Sequence, residues 1–187
     1  LLMDRASAPY FGLRAFGQHL NGYVRDKGEI KMWLGRRAHT KWNDPNKLDN
    51  MVAGGLPYGI GLHENLAKEC WEEAAIPEGL AERAIPTGAI TYCAETDKGL
   101  KPDVIYCYDL ELPRGFIPRC TDGEVEEFVL WSLDRVAQIV RDTEEVKRNC
   151  NLVIIDFLIR HGFITPADED YLELVSSLRN TPIPHAY

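Results

Sequence analysis

The sequence lacks any apolar run approaching the roughly 20 residues that a membrane-spanning helix needs, and its first residues show no signal-peptide pattern. Cysteine is scarce as well. The five cysteines are odd in number, and no two of them stand at CxxC spacing. This pattern argues against a disulfide framework and against a cysteine zinc site. We therefore expect single buried thiols in a reducing cytoplasm and no membrane association.

Basic residues are also too few to form a surface for nucleic acid. The 21 Lys and Arg residues stand against 29 Asp and Glu residues, which leaves a formal net charge of −8, and no basic stretch offsets it. This balance argues against a protein that binds a phosphate backbone. A small anionic substrate would therefore need metal ions, or a few well-placed Lys and Arg side chains, to bind here.

Apolar residues are plentiful enough for one proper core. The chain has 187 residues, of which 45% are hydrophobic and 27% charged, as in an ordinary globular domain. Alternating apolar residues predict strands at residues 28–37, 86–96, 103–112 and 124–133, and helical spacing predicts helices at residues 64–76, 133–140 and 147–162. Residues 40–50 read as a polar loop. The first 25 residues predict a short helix followed by a strand.

Strands before, between and after helices predict an α+β fold, arranged as an α/β/α sandwich around a mixed central sheet. We expect residues 1–25 to form a short N-terminal extension, residues 26–165 the main domain, and residues 166–187 a C-terminal tail. No internal repeat or low-complexity tract interrupts this layout.

Three carboxylates stand close together directly after a glycine-rich segment. Glu69, Glu72 and Glu73 hold i, i+3 and i+4 spacing, so a helix projects them to one side. Their repulsion costs a few tenths of a kcal/mol per pair, and Lys68 relieves part of it by its i,i+4 relation to Glu72. Such a cluster is either a solvated helix face or a site for a hard divalent cation, which prefers oxygen ligands.

The stretch "GGLPYGIGLHENLAKECWEEAAIP" resembles the signature box of the Nudix hydrolases. That box is a glycine-rich loop followed by a helix carrying Arg-Glu-apolar-x-Glu-Glu-x-Gly. Three positions differ from it: Lys68 replaces Arg, Ala75 replaces Gly, and Ile60 stands where a glutamate is expected six residues after Gly54. The resemblance implies a Nudix fold and hydrolysis of a diphosphate.

A wider resemblance covers residues 11–162. The segments "KLDNMVAGGLP", "KECWEEA", "GAITYC", "KPDVIYCYDLELP" and "DGEVEEFVLW" are similar to the Nudix subgroup associated with thiamin pyrophosphokinase. In that subgroup Lys before the first helix glutamate, and Cys and Ala after it, are the expected forms. The segment "FGLRAFGQHLNGYV" resembles the short region that precedes the Nudix domain in these proteins.

The resemblance implies roles for the helix carboxylates. They bind Mg²⁺, or alternatively Mn²⁺, and one of them activates water; the catalytic and metal-binding candidates are Glu69, Glu72 and Glu73. Gly54 would offer its backbone carbonyl to the metal, and Lys68 would orient the cluster by an ion pair. A further carboxylate is expected from a downstream strand, where Glu124 and Glu127 are the candidates.

The subgroup also implies a substrate, namely thiamin diphosphate or its oxidised oxo and oxy forms, cleaved to the monophosphate and phosphate. Basic, polar and aromatic side chains near the predicted site are the candidates for binding it. These substrate-binding candidates are Arg36, Arg37, Lys47, Asp49, Asn50, Tyr58 and Tyr106. Trp42 and Tyr92 are further aromatic candidates for the wall of a pocket.

Two alternatives stand beside this prediction. The first is a Nudix hydrolase of another diphosphate, such as ADP-ribose. The second is a Nudix-fold binding module that has lost catalysis, which Ile60 favours and the intact Glu69, Glu72 and Glu73 oppose. Because many Nudix proteins form dimers, the resemblance also makes a homodimer an expectation.

Overall fold

The computed structural model describes residues 3–179, which form one mixed sheet covered by helices. Its strands are β1 (Phe16–Asp26), β2 (Glu29–Arg37), β3 (Leu48–Asn50), β4 (Val52–Gly55), β5 (Ile85–Thr96), β6 (Gly99–Glu111) and β7 (Val125–Ser132). Its helices are a 3₁₀ helix (Arg5–Phe11) and α1 (Leu62–Ala74), α2 (Glu78–Ala81), α3 (Leu133–Asp142), α4 (Arg148–Arg160) and α5 (Tyr171–Ser177).

The sheet is mixed, as predicted. Its main path runs β3-β2-β1-β6-β5, with β4 paired to β1 and β7 paired to β2. Strands β1 and β6 are parallel, and the other pairings are antiparallel. Strand β1 therefore lies at the centre, although its residues 16–25 come from the segment assigned to the N-terminal extension.

Helices pack on both faces of the sheet, because successive side chains of β1 point to opposite sides. Leu20 is fully buried with Leu66 and Cys70 of α1 on one face. On the other face Tyr23 lies against Phe157 of α4, with ring centroids 5.4 Å apart. The predicted α+β sandwich is thereby confirmed. Within residues 3–179, no helix is both long enough and apolar enough to span a membrane.

The predicted elements agree well with the observed ones. The four predicted strands appear as β2, β5, β6 and β7, the three helices as α1, α3 and α4, and the N-terminal helix and strand are also present. The polar loop predicted over residues 40–50 is wrong at its end, since residues 48–50 form β3 against β2. Strand β4 and the short helix α2 were not predicted. In the predicted tail residues 171–177 form α5, and residues 180–187 lie outside the described part.

Helix α1 ends in a left-handed residue that is not glycine. Ala75 has φ 51° and ψ 34°, and its N–H bonds to the carbonyl oxygens of Cys70 and Trp71. Helices that end in this conformation usually place glycine there, because a Cβ is sterically unfavourable. Ala75 stands where the signature has Gly, so the fold keeps the backbone of that position and pays for it in strain.

Candidate active site

The site is built where β4 passes under α1. Strand β4 pairs with β1, with Gln18 opposite Gly54, and this pairing brings Gly54 beneath the helix. A Cβ on Gly54 would overlap the carboxylate of Glu69, so only glycine leaves room for that side chain. Gly54 and Glu69, which the sequence assigned to the metal, are therefore in direct contact.

Glu73 is the most buried of the three helix glutamates, with 7% of its surface exposed. Its Oε2 accepts a hydrogen bond of 2.7 Å from the backbone N–H of Ala53 in β4. Burial raises the pKa of the Glu73 carboxyl to about 8, and the charges of Glu69 and Glu124 also raise it. A buried carboxyl held in place by a strand N–H, and short of positive charge, is the group that a cation would stabilise.

The pKa of the Glu69 carboxyl is also raised. Burial raises this pKa, the charges of Glu72 and Glu124 add to this, and Lys68 opposes it. The ammonium of Lys68 lies 3.4 Å from Glu69 Oε1 and 2.6 Å from Glu72 Oε2. The predicted i,i+4 pair between Lys68 and Glu72 is thus formed. Glu72 lies on the more exposed side of the cluster.

The structure separates the two downstream candidates. Glu124, just before β7, lies close enough to raise the pKa values of both Glu69 and Glu73. Its own carboxylate is paired with Lys41. Glu127 instead accepts a hydrogen bond of 2.6 Å from Arg36 Nε on the neighbouring strand β2. The carboxylate next to the helix glutamates is therefore Glu124.

The donor set fits a hard divalent cation. Glu69, Glu73 and Glu124 supply carboxylate oxygens, and Gly54 lies against one of them without a side chain in the way. Mg²⁺ and Mn²⁺ prefer oxygen ligands of this kind. Burial and like charge together raise the pKa values of Glu69 and Glu73, and the positive charge of a bound cation would lower both values.

The basic candidates for substrate binding all face carboxylates. Arg36 pairs with Glu127, and Lys47 lies 3.6 Å from Asp44. Arg37 donates from Nη1 to Asp49 over 2.9 Å and, through Nε and Nη2, to the carbonyl oxygens of Asn43 and Asp44 in the loop that follows β2. Their positive charges are already balanced within the protein.

Asp49 and Asn50 belong to a buried polar cluster on the α4 side of the sheet. Asp49 accepts from Arg37, from Lys147 over 3.2 Å and from the Cys150 thiol over 2.6 Å. Burial alone would raise the pKa of Asp49, but the positive charge of Lys147 and the contacts around it hold that pKa well below its usual range. Asn50 Oδ1 lies 2.8 Å from His19 Nδ1.

Sequence reasoning missed this cluster, because no local pattern relates His19 of β1 to Cys150 of α4. Ligand atoms of His19, Asp49 and Cys150 lie within 4.8 Å of one another. Each of them already has a protein partner, and two cations neutralise Asp49. Burial lowers the pKa of His19 to about 4 and raises that of Cys150 well above its usual value. The cluster is therefore a buried core network whose polar groups are satisfied by one another.

The aromatic candidates divide into exposed and packed residues. Tyr58 and Trp42 are 86% and 84% exposed, and Lys98 Nζ lies 5.4 Å from the Trp42 ring centroid. Tyr106 stacks on Phe16 with centroids 6.3 Å apart. Tyr92, in β5, donates a hydrogen bond of 3.0 Å to Asp103 in the neighbouring strand β6. The two exposed rings, those of Tyr58 and Trp42, therefore lie on loops outside the sheet.

Comparison with known proteins supports the signature. The chain is 50% identical over 178 residues to the chloroplastic Nudix hydrolase 20 of Arabidopsis thaliana. The aligned region covers 95% of this chain and 48% of that protein. It spans about half the length of the curated Nudix hydrolases that it matches. No family model matches the chain.

Solved structures show the same fold. The Nudix domain of Shewanella oneidensis NrtR, complexed with ADP-ribose, superposes with a TM-score of 0.61 at 13% identity, covering 87% of this chain and 100% of that one. The Ap4A hydrolase of C. elegans gives 0.57 at 15% identity, covering 80% and 99%. The chain therefore has the Nudix fold. Its 50% identity to curated Nudix hydrolases supports its assignment to the Nudix hydrolase family.

Proposed function

We propose that this Nudix-fold chain is a magnesium-dependent hydrolase that cleaves a diphosphate linkage. The observation that carries the proposal is the group formed by Gly54, Glu69, Glu73 and Glu124. Glu69 lies against a strand position that only glycine can occupy, Glu73 accepts from the adjacent Ala53 N–H, and the charge of Glu124, just before β7, raises the pKa values of both. Ile60, in place of the signature glutamate, lies between β4 and α1.

The residues divide the work by their positions. Glu69, Glu73 and Glu124 would hold the metal, with Glu72 at the exposed side of the cluster. When bound, the metal neutralises the diphosphate charge, makes a nucleophile available from water and stabilises charge on the leaving oxygen. The Ala53 N–H fixes the orientation of the Glu73 carboxylate, and Lys68 fixes Glu72 by a 2.6 Å bond. Both glutamates are thus positioned before substrate arrives.

For the substrate we propose thiamin diphosphate or its oxo and oxy forms. The support is the resemblance of segments from β1 to β7 to the subgroup associated with thiamin pyrophosphokinase. The exposed rings of Trp42 and Tyr58 suit a flat heterocycle, which binds well against aromatic faces. The second candidate is ADP-ribose, favoured by the ligand in the NrtR structure.

The test is chromatographic product analysis with purified protein, with and without Mg²⁺. Thiamin diphosphate, its oxo form and ADP-ribose are compared at equal concentration. We expect metal-dependent cleavage of the thiamin compounds. The cleavage rate should fall at least 100-fold in Glu73→Gln, because a metal ligand is removed. Glu124→Gln should lose activity as well, whereas Glu127→Gln, its matched control, should keep it.

Each other outcome has a definite meaning. Cleavage of ADP-ribose alone would keep the metal site and discard the thiamin substrate. Cleavage that survives Glu73→Gln would show that the acidic cluster is not the catalytic centre. Absence of turnover on all three compounds, with Mg²⁺ still raising the melting temperature, would favour a binding module.

We also propose that the protein works in the cytoplasm as a homodimer. All five cysteines are free thiols, and three of them are buried, which suits a reducing compartment. Fluorescent tagging of the full-length protein and light scattering of the purified chain would check the two statements separately.

A further inference from the structure

Arg5 lies in an unusual place for an exposed arginine. It begins the 3₁₀ helix before β1, and its guanidinium rests directly on the backbone of Gly55. A Cβ on Gly55 would overlap Nη1, and one on Gly17 would lie 4.0 Å from Nη2. The side chain can therefore lie directly on the β1–β4 pair because residues 17 and 55 are glycines.

Gly54 and Gly55 place opposite charges on the two faces of one strand. Successive residues of a strand face opposite sides and lie about 3.3 Å apart along it. The carboxylate of Glu69 fills the space above Gly54, and the guanidinium of Arg5 fills the space below Gly55. Gly55 is the last residue of β4, so a ligand bound at Gly54 that extends past this end of the strand would meet Arg5 on the other face.

The guanidinium of Arg5 also lacks an anion. In the part of the chain that the structure describes, Arg5 forms no ion pair with a carboxylate, although the protein carries eight more acidic than basic residues. The cations that the sequence assigned to the substrate are balanced by Glu127, Asp49 and Asp44. An exposed, packed and unpaired guanidinium beside an acidic metal site is suited to a phosphate group.

We infer that Arg5 is a substrate-binding residue whose guanidinium donates hydrogen bonds to non-bridging oxygens of the substrate's diphosphate. This inference rests on the proposed function. In this arrangement the metal site binds the diphosphate from the α1 side of β4, and Arg5 binds it from the other. The N-terminal 3₁₀ helix then belongs to the active site, and Gly55 is needed because Arg5 lies on it.

Kinetics of Arg5→Ala and Arg5→Lys test the inference. A lost charge-assisted contact to the diphosphate should raise KM about tenfold in Arg5→Ala, with kcat changed less than twofold. Arg5→Lys should recover part of the loss, because it restores charge without the planar fork. Arg141→Ala is the matched control; Arg141 is exposed, pairs only with neighbouring Asp142, and its variant should behave as wild type.

Gly55→Ala supplies a second and independent variant. Its methyl group displaces the guanidinium, so it should raise KM as Arg5→Ala does. The double variant should be no worse than either single one, since both changes remove the same contact. Unchanged KM in Arg5→Ala with an active wild type would overturn the inference and leave the proposed function intact. A lowered melting temperature without a change in KM would show that Arg5 only packs the helix.

A different result separates the two proposals. If the wild type cleaves none of the three diphosphates, the proposed function fails, and the dissociation constants of thiamin diphosphate and ADP-ribose are measured by calorimetry in Mg²⁺. Binding that is about tenfold weaker in Arg5→Ala than in Arg141→Ala would still support Arg5 as a phosphate-binding residue. Equal binding in both, or no binding by the wild type, would overturn it.

Discussion

The carboxylate of Glu69 occupies the space in which any residue other than glycine at position 54 would place its Cβ. Strand β4 and helix α1 meet at this contact, and the acidic cluster is assembled on it. The obstructing atoms belong to the flexible side chain of Glu69. A methyl group at residue 54 would therefore displace the Glu69 carboxylate and leave the backbone fold unchanged.

Gly54→Ala should therefore lower activity far more than stability. We expect kcat/KM to fall about 100-fold, since small misplacements of a catalytic group cost that much, while the melting temperature stays nearly unchanged. Enzyme assay and thermal unfolding of the same preparation measure both effects. Gly79→Ala is the control, because an added Cβ there meets nothing within 4 Å. An unfolded Gly54→Ala variant would contradict the prediction.

Ala75→Gly should stabilise the protein. Ala75 has φ 51°, where its Cβ costs about 1–2 kcal/mol. Glycine loses about 0.4–1 kcal/mol of this through its larger unfolded-state entropy, so the free energy of unfolding should rise by about 0.5–1 kcal/mol. Urea unfolding measures the change. Ala67→Gly, inside the same helix, should lower stability by about 1 kcal/mol. Equal signs for the two variants would be inconsistent with strain at residue 75.

Asp49→Asn should be one of the most destabilising single changes. It leaves Arg37 and Lys147, which are mostly buried, without their shared counter-charge, at an expected cost of about 3–5 kcal/mol. Glu127→Gln breaks the more exposed pair with Arg36 and should cost less than about 1 kcal/mol. Chemical unfolding at neutral pH compares the two. Similar losses in both variants would refute the assignment of Asp49 to a buried network.

Acid should destabilise the fold through His19. Its pKa is lowered by burial from 6.5 to about 4, so between these pH values the unfolded chain binds a proton that the folded one does not. The free energy of unfolding therefore falls as the pH drops through this window, by up to about 3 kcal/mol. In His19→Gln the unfolding free energy should change less between pH 6.5 and 4. Parallel pH profiles for the two proteins would contradict this prediction.

The local part of the site could be predicted because its residues are close in sequence. The spacing of Glu69, Glu72 and Glu73 on one helix, and the pair of Lys68 with Glu72, need only helical geometry. The strands were predicted where alternation is strong, whereas residues 48–50 lack it and were read as loop. A three-residue strand depends on pairing with β2 more than on its own sequence.

The remaining features depend on distant contacts. His19 and Cys150 are 131 residues apart, and Arg36 and Glu127 are 91 apart, so no local pattern relates them. The choice of Glu124 over Glu127 depended on how β7 pairs with β2, and Arg5 was not considered because its significance comes from Gly55 beneath it.

The sequence by itself determined the helix, its three carboxylates and the glycine that precedes them, because these follow from short-range geometry. Only the tertiary structure decided which charges stay unpaired. Burial and pairing are properties of the packed chain: within residues 3–179 they balance Arg37 and Lys47, bury Glu73 beside other acidic groups, and leave Arg5 without a carboxylate partner.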